Sequence, residues 1–324
     1  FNARFISRVR DMLSDVDASV VAEAVSTLAV LHRAGVLAQD SMECVLPLLV
    51  DGQVQIRNAA AAVVPTLISA NMNVSEEPQI DGEHKYVKNL QNTVRSSRNT
   101  LLAVVRIING LCGSRARTAC VVDALWSFYQ SFFCDWNLVC EMLHSDEHTH
   151  DSQKDVSQYQ LLNREDAVGL SNLLVCAVRR AHGENLVTDS SGGNSSQAKV
   201  LRQPTKARRE ANEKSCESFT YAAMKHFHDL LHRWRSEDSV LAPLIECIRF
   251  LKLTHYSVQH KESEFETLLK YVNDIFLQHS NRRVICACTD AIHHVATNGW
   301  KVFTDVGKHC THNMFEKVTE RLIT

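Results

Sequence analysis

The chain has 324 residues, a formal net charge of −2, and 45% hydrophobic against 22% charged residues, which gives it enough apolar material for a core. Its 11 glycines and 5 prolines fall well below the about 7% and 5% of ordinary domains. That scarcity excludes the many tight turns of a β-sandwich or barrel and the glycine-rich phosphate loops of nucleotide-binding folds. With Lys+Arg at 35 and Asp+Glu at 37, no global field draws the chain to nucleic acid, so any such contact needs a local patch.

Apolar residues recur at helical spacing from the start. Phe5, Ile6, Val9 and Met12 form one helix face. After an acidic break at 14–17, Val20, Val21, Ala24, Val25, Leu28 and Leu31 form a second, ending at Gly35. Asp40-Ser41 suits an N-cap for a third helix over 42–49. Asp51-Gly52 marks a turn, and 56–68 reads as a fourth helix. Residues 71–98, with Ser75-Glu76-Glu77-Pro78 and Asp81-Gly82, read as a long inter-repeat loop that has room for a short helix.

Farther along, Trp126, Phe128, Tyr129, Phe132, Phe133 and Trp136 gather the aromatic side chains. Trp126, Tyr129 and Phe133, at i, i+3 and i+7, share a face that serves either the core or a groove for a partner segment. Residues 183–205 hold Ser190-Ser191-Gly192-Gly193-Asn194-Ser195-Ser196, a flexible composition, and read as a second inter-repeat loop. A helix opens near Lys206.

Val20-Ala24-Leu28, Ile56-Ala60-Val64 and Val284-Cys288-Ile292 share an i, i+4, i+8 stripe, each after a short polar turn. Small residues in the middle of each stripe let neighbouring helices approach closely. The recurrence predicts an all-α, HEAT-type helical-repeat solenoid with repeats of about 40–47 residues, running over 1–324 as one continuous array. Because the chain opens on Phe1 and not Met, it is expected to be the central part of a longer protein.

Candidate chemistry is sparse. The eleven cysteines are odd in number and scattered through apolar runs, as expected of free thiols in a reducing compartment. No apolar run approaches a membrane span, so no membrane contact is expected. His144, His148 and His150, interleaved with Asp146, Glu147 and Asp151, offer metal ligands by content but lack an apolar shell to orient the rings. Cys286 and Cys288, near His293-His294 and His309-Cys310-x-His312, would diverge by about 200° on a helix. Neither set is read as a metal centre. No G-x-S-x-G, H-E-x-x-H, phosphate-loop or dinucleotide fingerprint occurs. The expectation is a protein without catalytic residues, metal or cofactor. Charge is more informative: Lys199, Arg202, Lys206, Arg208, Arg209 and Lys214 stand against only Glu210 and Glu213, a local net charge of +4 that makes a DNA-binding candidate.

At Val121-Val122-Asp123-Ala124-Leu125-Trp126, followed by Asp135-Trp136, the chain resembles the stromal antigen (stromalin) subunit of cohesin. That family carries Val-Asp-Ser-Leu/Met-Trp and then Lys-Asp-Trp-Glu. In the same order, Phe1-Asn2-Ala3-Arg4-Phe5 resembles its Phe-Thr-Asn-Arg-Phe, and 17–28 its Asp-Val-Ala-Val-Glu-Ala helix. Leu174-Val175-Cys176-Ala177-Val178-Arg179 is similar to Met-Leu-Cys-Thr-Ile-Arg, Lys206-Ala207-Arg208-Arg209 to Lys-Glu-Lys/Arg-Lys, and His255-Tyr256-Ser257 to Ile-Tyr-Ser/Thr. The colinear order over nearly the whole chain carries the resemblance.

The resemblance implies an elongated, hook-shaped, non-catalytic subunit of the nucleus and chromosomes, serving sister chromatid cohesion. It implies binding to the kleisin subunit of cohesin, contact with DNA, and recruitment of regulators through a pocket for Phe/Tyr-x-Phe peptides. One wall of that pocket would be Phe1, Arg4 and Phe5, whose i, i+3, i+4 spacing sets two rings beside a guanidinium. In the alternative, Phe5 belongs to the core. The chain departs from the family at 109–117, where an acidic stretch is replaced by a basic one, and at 190–196, where a basic glycine-rich stretch is replaced by Ser and Gly. A generic HEAT-repeat adaptor for protein partners, without DNA binding, is the alternative function.

Overall fold

In the computed structural model the described residues are 2–72, 85–111, 113–144, 162–187, 205–298 and 301–323. Among them the regular structure is entirely helical. Packing divides them into two compact units, the first holding the described residues up to 133 together with 185–187, the second those of 134–184 and from 205 on.

The first unit contains α1 (Asn2–Asp11), α2 (Ala18–Arg33), a 3-10 helix (Gln39–Val50), α3 (Val54–Ala61), α4 (Val64–Met72), α5 (Lys85–Gly110) and α6 (Arg115–Phe133). Asp17 starts α2 by accepting the Ser19 N–H at 2.8 Å. Gly35, at φ +71, ends it and lets the Val36 N–H return to the Leu31 carbonyl at 3.0 Å. The buried residues Ala24, Val25 and Leu28 of α2 and Ile56 and Ala60 of α3 lie on helices that pack together, and α3 packs in turn on α6. These three helices thus stack in chain order, with the 3-10 helix against all of them. Arg57 is only 1% exposed; its guanidinium donates to the Asp51 carbonyl at 2.7 Å, while the Asp51 carboxylate accepts the Gln53 N–H. One buried arginine closes the turn that opens α3.

Three boundaries differ from the sequence expectation. The segment expected as an α-helix over 42–49 belongs to the 3-10 helix, which begins at Gln39 without a side-chain cap and contains Pro47. A proline without an N–H breaks the α ladder, and the tighter turn accommodates it. The single helix expected over 56–68 is split into α3 and α4, with Pro65 placed in the first turn of α4, where no donor is needed. The inter-repeat loop expected over 71–98 is narrower: the backbone is helical to Met72 and again from Lys85. In its C-terminal half α5 buries Leu101, Leu102, Val104, Val105 and Ile108.

The second unit contains α7 (Trp136–His144), α8 (Arg164–Ala181), α9 (Lys206–Arg233), α10 (Asp238–Cys247), α11 (Leu253–Val258), α12 (Glu262–Gln278), α13 (Arg282–Asn298) and α14 (Lys301–Ile323). Here α8, α10 and α13 pack in sequence, and so do α7, α9, α12 and α14. Consecutive long helices therefore alternate between two layers, and each layer grows in chain order. Trp136 of α7 meets Phe219 of α9 edge-on at 5.4 Å, and Phe219 meets Phe227 at 5.7 Å, so rings fill the seam. Asn163 caps α8 by accepting the Asp166 N–H at 2.6 Å, and Gly183 at φ +87 ends it. Val284, Cys288 and Ile292 of α13 are all buried.

Candidate functional site

On α1, Arg4 and Phe5 both lie exposed; Phe5 is 44% exposed while Val9, one turn on, is buried. Within the first unit Phe5 is therefore not a core residue. Met12 extends the exposed apolar face, and Arg10 fixes the helix by donating to the Ser41 carbonyl at 3.2 Å. Phe1 lies outside the described residues.

Of the six basic candidates, Lys199 and Arg202 also lie outside the described residues, and Arg208 is described only as backbone in α9. Lys206, Arg209 and Lys214 are exposed on the first turns of α9. The Lys206 side chain is 92% exposed and approaches Glu210 at 3.9 Å, a contact of little energetic weight at that exposure. Two turns on, α9 changes sign. Glu213 and Glu217 pair with Lys252 at 3.2 and 3.6 Å, and Glu217 lies 3.7 Å from His255 Nε2. The Tyr221 hydroxyl is 3.2 Å from His255 Nδ1. Sequence reasoning missed this network, because its partners are more than thirty residues apart along the chain.

The elbow after α10 is held by part-buried polar contacts from Thr220 and His182. The Thr220 hydroxyl accepts the Lys252 N–H at 3.1 Å. The His182 ring sets Nδ1 2.7 Å from the Val178 carbonyl and Nε2 3.0 Å from the Phe250 carbonyl. Burial lowers the pKa of His182. Beside the elbow a cleft of about 550 Å³ is lined by Glu213, Glu217, Lys252, Thr254, His255 and His294. His294 is also lowered, by burial first and then by Arg249 and His293. The cleft pairs the carboxylates of Glu213 and Glu217 with Lys252 and His255.

The thiols are equally quiet. Among the described residues all ten cysteines are free. Burial pushes Cys134 up to about 11 and Cys140 and Cys288 up to about 12, far from the thiolate a nucleophile needs. Cys286 is exposed and Cys288 buried, so the pair diverges as its spacing requires. Among the described residues no three His, Cys, Asp or Glu side chains converge on a metal position; His148 and His150 lie outside them. In the aromatic cluster, Tyr129 and Phe133 are buried and Trp126 stands 6.2 Å from Phe133, while Phe128 stays exposed. No helix among the described residues is long and apolar enough to cross a membrane.

This stacking of helix layers matches known proteins. Residues 121–323 match the family described as the cohesin subunit SCC3/SA HEAT-repeats domain. The chain is 25% identical over 292 residues to sister-chromatid cohesion protein 3 of Arabidopsis thaliana, covering 90% of this chain and 24% of that protein. It is similar in fold to the cohesin subunit Scc3 from Z. rouxii, with a TM-score of 0.58 and 14% identity, over 94% of this chain and 34% of the other. The chain thus spans about a quarter of the curated relative's length. With a family match over more than half its length and an alternating two-layer helical stack, the chain belongs to the HEAT-repeat family of the cohesin subunit SCC3/SA.

Proposed function

We propose that the chain is part of a non-catalytic cohesin subunit, a helical scaffold for sister chromatid cohesion that works on nuclear chromosomes. The family match over residues 121–323 carries this reading. The mechanism is additive recognition: stacked helices hold side chains in fixed register, and no bond is made or broken. The proposed principal partner is the kleisin subunit of cohesin, bound as an extended polypeptide across exposed helix faces. DNA is a second partner, met by the basic segment of Lys199, Arg202, Lys206, Arg208, Arg209 and Lys214; the exposure of Lys206, Arg209 and Lys214 supports this assignment. Arg4 and Phe5, with Phe1, form one wall of a pocket for Phe/Tyr-x-Phe regulator peptides, and the exposure of Phe5 supports that role.

The scaffold reading is tested by co-purification with a kleisin fragment. The DNA assignment is tested by Lys206→Glu with Arg209→Glu. Loss of two phosphate contacts is expected to weaken binding and to flatten the slope of log affinity against log salt by about 2. Kleisin binding with a DNA affinity indifferent to both changes would favour an adaptor without DNA contact.

A further inference from the structure

His226, in the middle of α9, is only 7% exposed, and its Nε2 is buried without a hydrogen-bond partner. A buried imidazole nitrogen left in this way is costly unless a donor, water or ion occupies the space before it. Beside its ring lies a second imidazole. His144 is the last residue of α7, and its ring centre lies 5.5 Å from that of His226, with the planes at 48°. Two imidazoles bound to one tetrahedral ion, with metal–nitrogen distances of about 2.1 Å, place their ring centres about 5.2 Å apart. The observed spacing therefore needs almost no adjustment.

The two rings are also held firmly. The last carbonyls of α7 are captured by the end of α9: Arg233 Nη1 donates to the His144 carbonyl at 2.6 Å, and Trp234 Nε1 to the Leu143 carbonyl at 3.1 Å. His144 thus sits on a pinned helix terminus, and His226 on a long buried helix. The surrounding field is mixed, with Glu141 and Asp229 attracting a cation and Lys225 opposing it.

We propose that His144 and His226 form a two-histidine site for a divalent transition-metal ion, tying the end of α7 to α9. Water completes the coordination, and the two nitrogens select borderline ions that favour imidazole. The site clips two helices of one layer together and is independent of any kleisin or DNA contact.

The test is calorimetric titration of the full chain with Co²⁺, which accepts tetrahedral coordination and is less drawn than softer ions to the exposed thiols Cys44 and Cys286. The expected result is saturable binding of a single equivalent, weakened about 10–100-fold or more by His144→Ala and by His226→Gln. His144→Ala, only half buried, guards against a folding failure of the His226 variant. Absence of saturable binding overturns the proposal. So does binding that survives His144→Ala but is lost in His148→Ala or His150→Ala.

Discussion

Helix α14 approaches α13 closely at Gly307. A methyl group built there would lie 2.7 Å from the Ala296 nitrogen, 2.9 Å from its Cα and 3.1 Å from its Cβ. Carbon contacts are optimal near about 3.5–4.0 Å, so Gly307→Ala forces the helices apart by roughly 1 Å. Overpacking of this kind costs about 1–3 kcal/mol, and the separation also loosens contacts around Phe303, which is fully buried on the same helix. Against that stands a gain of about 1 kcal/mol from replacing a mid-helix glycine with alanine. The net expectation is a loss of up to about 2 kcal/mol, read as a lower urea midpoint by circular dichroism with an unchanged m-value. Ala296→Gly should not rescue the variant, because the two nearest atoms belong to the backbone. A midpoint above that of the parent would refute the close crossing of α13 and α14.

Two further outcomes follow from the second unit. His182, His226 and His294 all have pKa values lowered chiefly by burial, so the unfolded chain binds more protons as pH falls below its ordinary histidine pKa of about 6.5. Their contribution to stability is present above that pH and lost below it. Thermal unfolding should therefore occur at lower temperature near pH 5 than near pH 7.5, with a smaller difference in His182→Gln. A melting temperature that rises on acidification would contradict the assignment. His260, between α11 and α12, holds φ +54, a left-handed conformation that suits glycine. His260→Gly is expected to raise stability by up to about 1 kcal/mol, or about 2–4 °C in Tm, and a lowered Tm would count against strain at that turn.

The helical class was legible because the apolar period of 3.6 survives almost everywhere, as Val284, Cys288 and Ile292 illustrate by all being buried. Boundaries were less legible where one residue overrides the period. Pro47 turned an expected α-helix into a 3-10 helix, and Pro65 broke another in two. The start of α5 was hidden because its first turns, Lys85 to Asn92, follow a stretch rich in turn residues and carry many polar side chains. For the site, composition showed the basic segment up to Lys214 but not that Glu213 and Glu217 meet Lys252 across the fold. His144 carried a metal-like context in sequence, yet the imidazole beside it is His226, more than eighty residues on. Helix packing alone brings them together.

The central claim is that this stack of helices is a cohesin scaffold, and direct titration against a purified kleisin segment tests it best. The account predicts saturable binding at one kleisin per chain, weakened by Gly307→Ala only as far as that change unfolds the second unit. A flat titration with the chain fully folded by circular dichroism would contradict it.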